Sequence, residues 1–293
     1  MAGRWIRRGC VGAVVIFVLL FVGVLGLAYF QAQRTPAGQP QYVALGSSFA
    51  AGAGLGKLQD NSPSLCARSV GGYPQRLARK LRVSSVDMSC GGAVTKHLLH
   101  GGQFFQRPQV RVIGRATRLV TITVGGNDVG YVGDLSMLAA RNTGSLFGWF
   151  VRRFWSGPKT HEERGFDRLR AELLQLIRDV RTRAPQARIV LATYPTILPQ
   201  EGTCSRVGLN AKDVAAMRNV GDELAASMRT AAEQGGAILV DMHALGAAHH
   251  ACSPEPWVNG WTKGGIAPFH PTAAGAEATS DAIASALAGH QQL

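Results

Sequence analysis

The chain opens with a long apolar run and continues as short apolar runs that alternate with amphipathic segments. Residues 11–30 carry no charged side chain, and Arg4, Arg7 and Arg8 precede them. Twenty apolar residues are enough to cross the hydrocarbon core of a bilayer as one helix. Because basic residues flanking such a helix stay in the cytoplasm, the pattern predicts that the rest of the chain lies outside the cell membrane.

The apolar run fits an uncleaved anchor better than a cleaved signal peptide. Signal peptides have an apolar core of roughly 7–15 residues followed by a small-residue cleavage site. Here the run is longer and ends in Tyr29 and Phe30. We therefore expect an anchor at residues 1–34, with secretion as the alternative if it is cleaved. Pro36, Gly38 and Pro40 predict an extended linker at 35–41, and the folded domain then covers 42–293.

Beyond the linker, strand-like and helical patterns alternate. Apolar β-branched runs predict strands at 42–45, 85–88, 119–124, 188–193 and 238–241. Apolar residues at helical spacing predict helices at 73–81, 166–180 and 211–234. This alternation is typical of a parallel sheet with helices on both faces, so we expect a single three-layer α/β/α domain.

The insertion 132–165 fits this alternation badly. It is rich in large apolar side chains between residues 146 and 155, with Arg152 and Arg153 among them. Two interpretations remain. The favoured one is an inserted helix that packs on the domain, and the other is a lid or a membrane contact.

The chain is strongly basic, with a net charge of +13. Without the first 30 residues, which contain three arginines and no acidic residue, 28 basic residues still face 18 acidic ones. A basic surface attracts anionic polymers. For an exported protein, anionic lipid headgroups or wall polysaccharides are more plausible partners than nucleic acid, for which no base-reading motif is present.

Four cysteines lie in the part of the chain that we expect to be exported: Cys66, Cys90, Cys204 and Cys252. An even number in that compartment indicates disulfides rather than metal ligation. Three pairings are open. We favour Cys66–Cys90 with Cys204–Cys252, since each would close a loop beside one of the segments described next.

Four short segments carry candidate chemistry. Ser48 follows the first strand in Gly-Ser-Ser, Gly92 lies in Cys-Gly-Gly-Ala, Asn127 follows the third strand in Gly-Gly-Asn-Asp, and His270 opens His-Pro-Thr-Ala-Ala-Gly. A strand that ends in small residues presents its next side chains at the carboxyl edge of the sheet, where open α/β sheets bind ligands. In this order, over about residues 42–275, the segments resemble the SGNH (GDSL-type) esterase and lipase superfamily, in its actinobacterial secreted-lipase-like branch.

The resemblance implies a flavodoxin-like three-layer sandwich, preceded here by one transmembrane helix, and a site without metal or cofactor. In the family the nucleophile is the third residue of Gly-Asp-Ser, which is Ser48 here, and His270 would be its general base. The oxyanion hole would comprise the amides of Ser48 and Gly92 and the side chain of Asn127. Ser47 is the rival nucleophile and replaces the family's aspartate, which we expect to alter local hydrogen bonding.

A second departure concerns the residue that orients the histidine. The family usually has an aspartate three residues before it, where this chain has Ala267. We favour a main-chain carbonyl in that role, as in family members that work with a Ser–His dyad. The alternative is another acid, either Asp241 or Glu255. Among the other histidines, His249 and His250 are the competitors of His270.

These patterns lead to the hypothesis of a serine esterase or lipase that hydrolyses carboxylic esters of lipids or small acyl substrates through an acyl-serine intermediate. The same serine chemistry would serve an acyltransferase or a cell-wall glycan O-acetyl esterase. A basic surface-binding protein on an inactive hydrolase fold is the alternative outside enzymes.

Overall fold

A five-stranded parallel sheet forms the centre of the folded domain. The computed structural model describes residues 2–34, 38–60, 62–261 and 267–289, so residues 35–37 of the predicted linker lie outside the described part. The strands occur within one residue of the predicted ends, as β1 (Tyr42–Gly46), β2 (Ser85–Asp87), β3 (Leu119–Thr123), β4 (Arg188–Ala192) and β5 (Ile238–Val240). Their spatial order is β2-β1-β3-β4-β5, and every neighbouring pair is parallel. This is the flavodoxin-like order.

Helices connect and cover the strands. Those that precede the insertion are α1 (Ala2–Gln33), α2 (Ser48–Ala51), α3 (Tyr73–Leu81) and α4 (Thr95–His100). The insertion contains α5 (Tyr131–Arg141), α6 (Leu146–Phe154) and α7 (His161–Arg164), and the chain continues with α8 (Phe166–Arg183), α9 (Ala211–Gly235), α10 (Met242–Leu245) and α11 (Ala273–Gly289). Short 3-10 helices occur at Ser64–Cys66, Gln103–Phe105 and Gln109–Val112.

The sheet is buried on both faces, as the three-layer prediction requires. Alternate residues of each strand point to opposite faces. Val43 and Leu45 of β1 join a core formed with α4, α5, α8 and α9, whereas Tyr42 and Ala44 join a core formed with α3 and α11. The predicted fold class is therefore confirmed.

In the N-terminal helix α1, the apolar side chains from Val15 to Leu27 are exposed. The segment Val15–Gln33 is long and apolar enough to cross a membrane. The last turns of α1 contact the domain. Tyr29 packs edge-on against Phe105 with ring centroids 6.0 Å apart, and the Gln33 side chain donates to the carbonyl of Phe105 at 2.7 Å.

The insertion has two parts with different environments. Helix α5 is a core helix, since Leu135 and Leu138 are fully buried. Helix α6 is attached to the end of α5 and buries only Gly148 and Val151. The packing interpretation of the sequence therefore applies to α5, and α6 remains exposed.

Two disulfides join the loops of the domain. Cys66 is bonded to Cys90, and Cys204 is bonded to Cys252. This is the favoured one of the three pairings that the sequence left open. The first bridge fixes the turn that contains Gly92, and the second joins the loop after β4 to the segment that leads to His270.

Candidate active site

The turn after β1 presents Ser48 at the start of the four-residue helix α2. Gly46 makes this turn possible, because it adopts a φ of 152° and a Cβ there would lie 2.4 Å from the carbonyl oxygen of Thr123. The Ser47 amide donates to that same oxygen at 3.0 Å. Both the amide and the carbonyl of Gly46 are held by the Gln109 side chain, at 2.9 and 3.0 Å. The serine is therefore positioned by a backbone that cannot easily shift.

His270 lies beside Ser48, although 222 residues separate them in sequence. Its Nε2 is 2.7 Å from the Ser48 hydroxyl oxygen. Its Nδ1 is 2.8 Å from the carbonyl oxygen of Pro268. A carbonyl can only accept, so Nδ1 carries the proton and Nε2 is left with a lone pair toward the serine. This tautomer is the one that a general base for Ser48 requires.

The residue that orients His270 is thus a main-chain group. Phe269, between the carbonyl of Pro268 and the imidazole, has a left-handed backbone with a φ of 59°, and its side chain is fully buried. Ala267 lies against the loop of Gly54, where an added Cβ would come within 2.9 Å of the alanine methyl. The usual acid position is therefore occupied by a methyl group, and a side chain larger than glycine's at position 54 would clash with it.

The structure does not bring the candidate third acid Asp241 to His270. Its carboxylate accepts from Arg229 at 2.7 Å and from the hydroxyl of Thr193 at 3.1 Å, and it caps α10 through the amide of Ala244 at 3.2 Å. The Asp241 alternative is therefore wrong for a simple reason. Two strands, β3 and β4, separate the end of β5 from β1, and the Asp241 charge is neutralised there by Arg229.

The environment of His270 favours the neutral ring. Desolvation by the surrounding protein lowers the pKa of His270 below its ordinary value, and the contact with the Pro268 carbonyl opposes this only in part. The face of Phe49 contributes to the desolvation, with its ring centroid 5.4 Å from that of the imidazole. A neutral imidazole at neutral pH is able to accept a proton from Ser48.

The candidate oxyanion donors lie on turns that are joined to the turn of Ser48 by hydrogen bonds. The turn of Gly92 is joined to it through the Cys90 amide, which donates to the Gly46 carbonyl at 3.0 Å. Asn127 joins it from the other side, since its Nδ2 donates to the carbonyl of Ala93 at 2.9 Å. An amide nitrogen has two hydrogens, so Asn127 keeps one for a ligand. Within the described residues, the amides of Ser48 and Gly92 donate no hydrogen bond.

Strand order explains why these segments meet. The chain passes from β1 to β2 on one side and then to β3 on the other, so β1 and β3 flank the topological switch point of the sheet. Ligands of open α/β sheets bind in the crevice beyond this point. Ser48 follows β1 and Asn127 follows β3.

Tyr194 and Gln109 are positioning residues that sequence reasoning missed. The Tyr194 hydroxyl accepts from the Gly126 amide at 3.1 Å and lies 3.0 Å from the Ser47 hydroxyl. It thereby joins the turn of Ser48 to the turn of Asn127. Ser47, which stands where the family has an aspartate, takes part in this contact through its hydroxyl. Tyr194 is the second residue after β4. This position is the only sequence feature that placed it at the carboxyl edge of the sheet.

The competing histidines are engaged elsewhere. The His249 ring stacks on Trp257 at 4.2 Å and bonds the carbonyl of Glu255, and His250 accepts from the amide of Cys252. Across the described ranges, no group of three or more His, Cys, Asp or Glu side chains is arranged to hold a metal ion.

A parallel α/β sheet with a serine–imidazole pair at its switch point defines a serine hydrolase. The chain belongs to the GDSL-like Lipase/Acylhydrolase family, whose model matches residues 44–278. It is a serine ester hydrolase of this family and acts on carboxylic esters.

Similar proteins support the family assignment, both by sequence and by structure. The chain is 32% identical over 272 residues to Lipase 2 of Streptomyces coelicolor, covering 86% of this chain and 88% of that protein. The extracellular lipase of Streptomyces rimosus superposes with a TM-score of 0.68 at 29% identity, over 84% of this chain and 98% of that one. Phospholipase A1 of Streptomyces albidoflavus gives 0.66 at 26%, over 85% and 99%.

Proposed function

We propose that this protein is a membrane-anchored lipolytic esterase that hydrolyses lipid esters at the outer surface of the cell membrane. Ser48 attacks the ester carbonyl, and His270 accepts the serine proton and returns it to the leaving alcohol. The acyl-serine is then hydrolysed by water activated by the same imidazole. The observation that carries this proposal is the 2.7 Å contact between His270 Nε2 and Ser48 Oγ, with the opposite ring nitrogen bound to a carbonyl.

The oxyanion of each tetrahedral intermediate is stabilised by the amides of Ser48 and Gly92 and by Asn127. Preorganised donors of this kind lower the barrier because they need no reorganisation when charge develops. The hydrogen bond from Asn127 to Ala93 supports this assignment, since it holds the side-chain amide against the Gly92 turn.

The membrane assignment rests on α1. Its exposed apolar residues are long enough to span a bilayer, and Arg4, Arg7 and Arg8 on its N-terminal side favour a cytoplasmic location for that end. The hydrolase domain then lies outside the cytoplasm. Lipid esters are favoured as substrates because the relatives are named lipases and a phospholipase.

Hydrolysis of p-nitrophenyl esters by the full chain in detergent tests the function. Ser48→Ala should reduce the rate by about 10⁴-fold or more, because the nucleophile acts as a unit with its base. Ser47→Ala is the matched control and should retain most of the rate. If Ser47→Ala abolishes hydrolysis and Ser48→Ala does not, the nucleophile is misassigned. If neither variant changes it, the observed activity does not come from this site.

A further inference from the structure

Helix α6 exposes an unusual amount of apolar surface for its length. Of its nine residues, five are large apolar side chains open to solvent: Leu146, Phe147, Trp149, Phe150 and Phe154. Leu146 is 82% exposed. Leu146, Phe150 and Phe154 follow one another at four-residue spacing, so they lie on one side of the helix. A contiguous apolar surface of this kind marks an interaction site rather than ordinary solvent contact.

The helix is nevertheless well formed and firmly attached. Ser145 caps its N-terminus by accepting from the Gly148 amide at 3.0 Å. A Cβ on Gly148 would lie 2.6 Å from the carbonyl oxygen of Ala140, so only glycine lets α6 approach the end of α5 this closely. Arg152 donates to the carbonyls of Arg141 and Thr143 at 2.6 and 2.7 Å. The apolar side chains are therefore presented outward by a rigid helix.

Helix α6 lies beyond the carboxyl edge of the sheet, on the side of the active site. Helix α9 leads back to the amino end of β5, and its 25 residues span about 37 Å against roughly 17 Å for a five-residue strand. Its first turn therefore projects past the carboxyl edge. Arg141, at the end of α5, forms an ion pair with Asp213 in that first turn at 3.0 Å. Helix α6 is packed against this end of α5 through Gly148 and Arg152.

The end of α1 is also on this side. The Gln103 side chain donates to the carbonyl of Gly91 at 2.7 Å, which places the 3-10 helix Gln103–Phe105 beside the oxyanion turn. Phe105 is the residue that Tyr29 of α1 contacts, and both Phe104 and Phe105 remain about half exposed. The bilayer that holds α1 therefore passes close to the active-site edge.

We propose that the aromatic face of α6 inserts into the interfacial region of the same bilayer that α1 spans, so that the active-site edge rests on the lipid surface. This inference rests on the proposed anchor and does not depend on ester hydrolysis. The occupant is an anionic bilayer surface. Arg153 supplies the complementary charge, with its guanidinium 5.2 Å from the centre of the Phe154 ring, and the chain without its first 30 residues has 28 basic against 18 acidic residues. Amphipathic helices with basic and aromatic residues bind such interfaces.

Fluorescence quenching tests the contact directly. The full chain, in a Trp5→Phe background, is reconstituted into phosphatidylcholine and phosphatidylglycerol vesicles with brominated acyl chains. We expect strong quenching by these lipids, most of which disappears when Trp149→Phe is added. Trp257→Phe is the matched control, because Trp257 is stacked on His249. Quenching that is unchanged by Trp149→Phe would overturn the proposal.

A second measurement separates docking from chemistry. Phe147→Ser with Phe150→Ser should reduce hydrolysis of vesicle phospholipid roughly tenfold relative to hydrolysis of p-nitrophenyl acetate. Leu239→Ser on the edge strand β5 is the control and should leave this ratio unchanged. An unchanged ratio in the α6 variant overturns the proposal. So does a change of oligomeric state in the α6 variant when Trp149 of the parent chain shows no quenching, since a second copy would then cover α6. Absence of all hydrolysis with Trp149 quenching intact would count against the proposed function alone.

Discussion

The hydroxyl of Ser47 lies 3.0 Å from the hydroxyl of Tyr194, which in turn accepts a hydrogen bond from the Gly126 amide. Because the tyrosine oxygen accepts from the amide, its own proton is available for Ser47. One buried side chain thus joins the two turns that carry Ser48 and Asn127. The aspartate that the family has in place of Ser47 is negatively charged, whereas this chain uses two neutral hydroxyls.

We expect Tyr194→Phe to lower kcat roughly tenfold or more with little change in KM. The substitution leaves the Gly126 amide and the Ser47 hydroxyl without a partner, and small displacements of catalytic groups are costly. Steady-state kinetics on a soluble ester measure kcat and KM separately. Tyr42→Phe is the control, since it removes another buried hydroxyl, bonded to Thr121 at 2.9 Å, away from these turns. Equal losses in both variants would assign Tyr194 a merely structural role.

Asn127→Ala should lower kcat by about 10² to 10³, which is the effect of removing one oxyanion donor. The kcat of Asn127→Asp should be no higher than that of Asn127→Ala, because a carboxylate repels the developing oxyanion. Binding of a non-hydrolysed substrate analogue, measured by calorimetry, should be retained in both. A rate within a fewfold of the parent in Asn127→Ala would remove this side chain from the oxyanion hole.

Asp241→Asn should leave kcat within about threefold, whereas loss of a triad acid costs about 10⁴. The carboxylate serves Arg229 and Thr193 rather than His270. Unfolding in denaturant should show a small loss of stability, on the order of 1 kcal/mol, from the partly exposed ion pair. His270→Ala, measured alongside, should be inactive. A large kinetic loss in Asp241→Asn would contradict the carbonyl-oriented dyad.

The acid limb of the pH profile should lie below the ordinary histidine pKa of about 6.5. Burial disfavours the imidazolium and lowers the pKa of His270, so the ring stays neutral and active to lower pH. The pH at the midpoint of the acid limb, from kcat/KM measured against pH on a soluble ester, reports the pKa of His270. Ala267→Asp would place a carboxylate near the imidazole and should move the midpoint upward. A midpoint above 6.5 in the parent chain would indicate an acidic partner of His270.

Sequence patterns predicted the strands and the longer helices because both depend on local residue types. Strands buried on both faces are runs of apolar residues, and helices begin at capping residues. All five strands end within one residue of the expected position, and α9 begins after Asn210, whose side chain caps it at 2.8 Å. The insertion was predicted less well. The insertion contains both a buried helix, α5, and an exposed one, α6, and the sequence analysis treated them as one segment. Composition alone does not report which face of a helix packs on the domain.

What the sequence by itself determined is the apolar N-terminal segment, the alternation of strands and helices, and the identity of the four segments around Ser48, Gly92, Asn127 and His270. These follow from local periodicity and from residue types that only certain turns tolerate. The tertiary structure alone decided that the Pro268 carbonyl orients His270, that Asp241 pairs with Arg229, and that Tyr194 joins two catalytic turns. Such contacts depend on the order of strands in space, and residues far apart in the chain meet only after the sheet has formed.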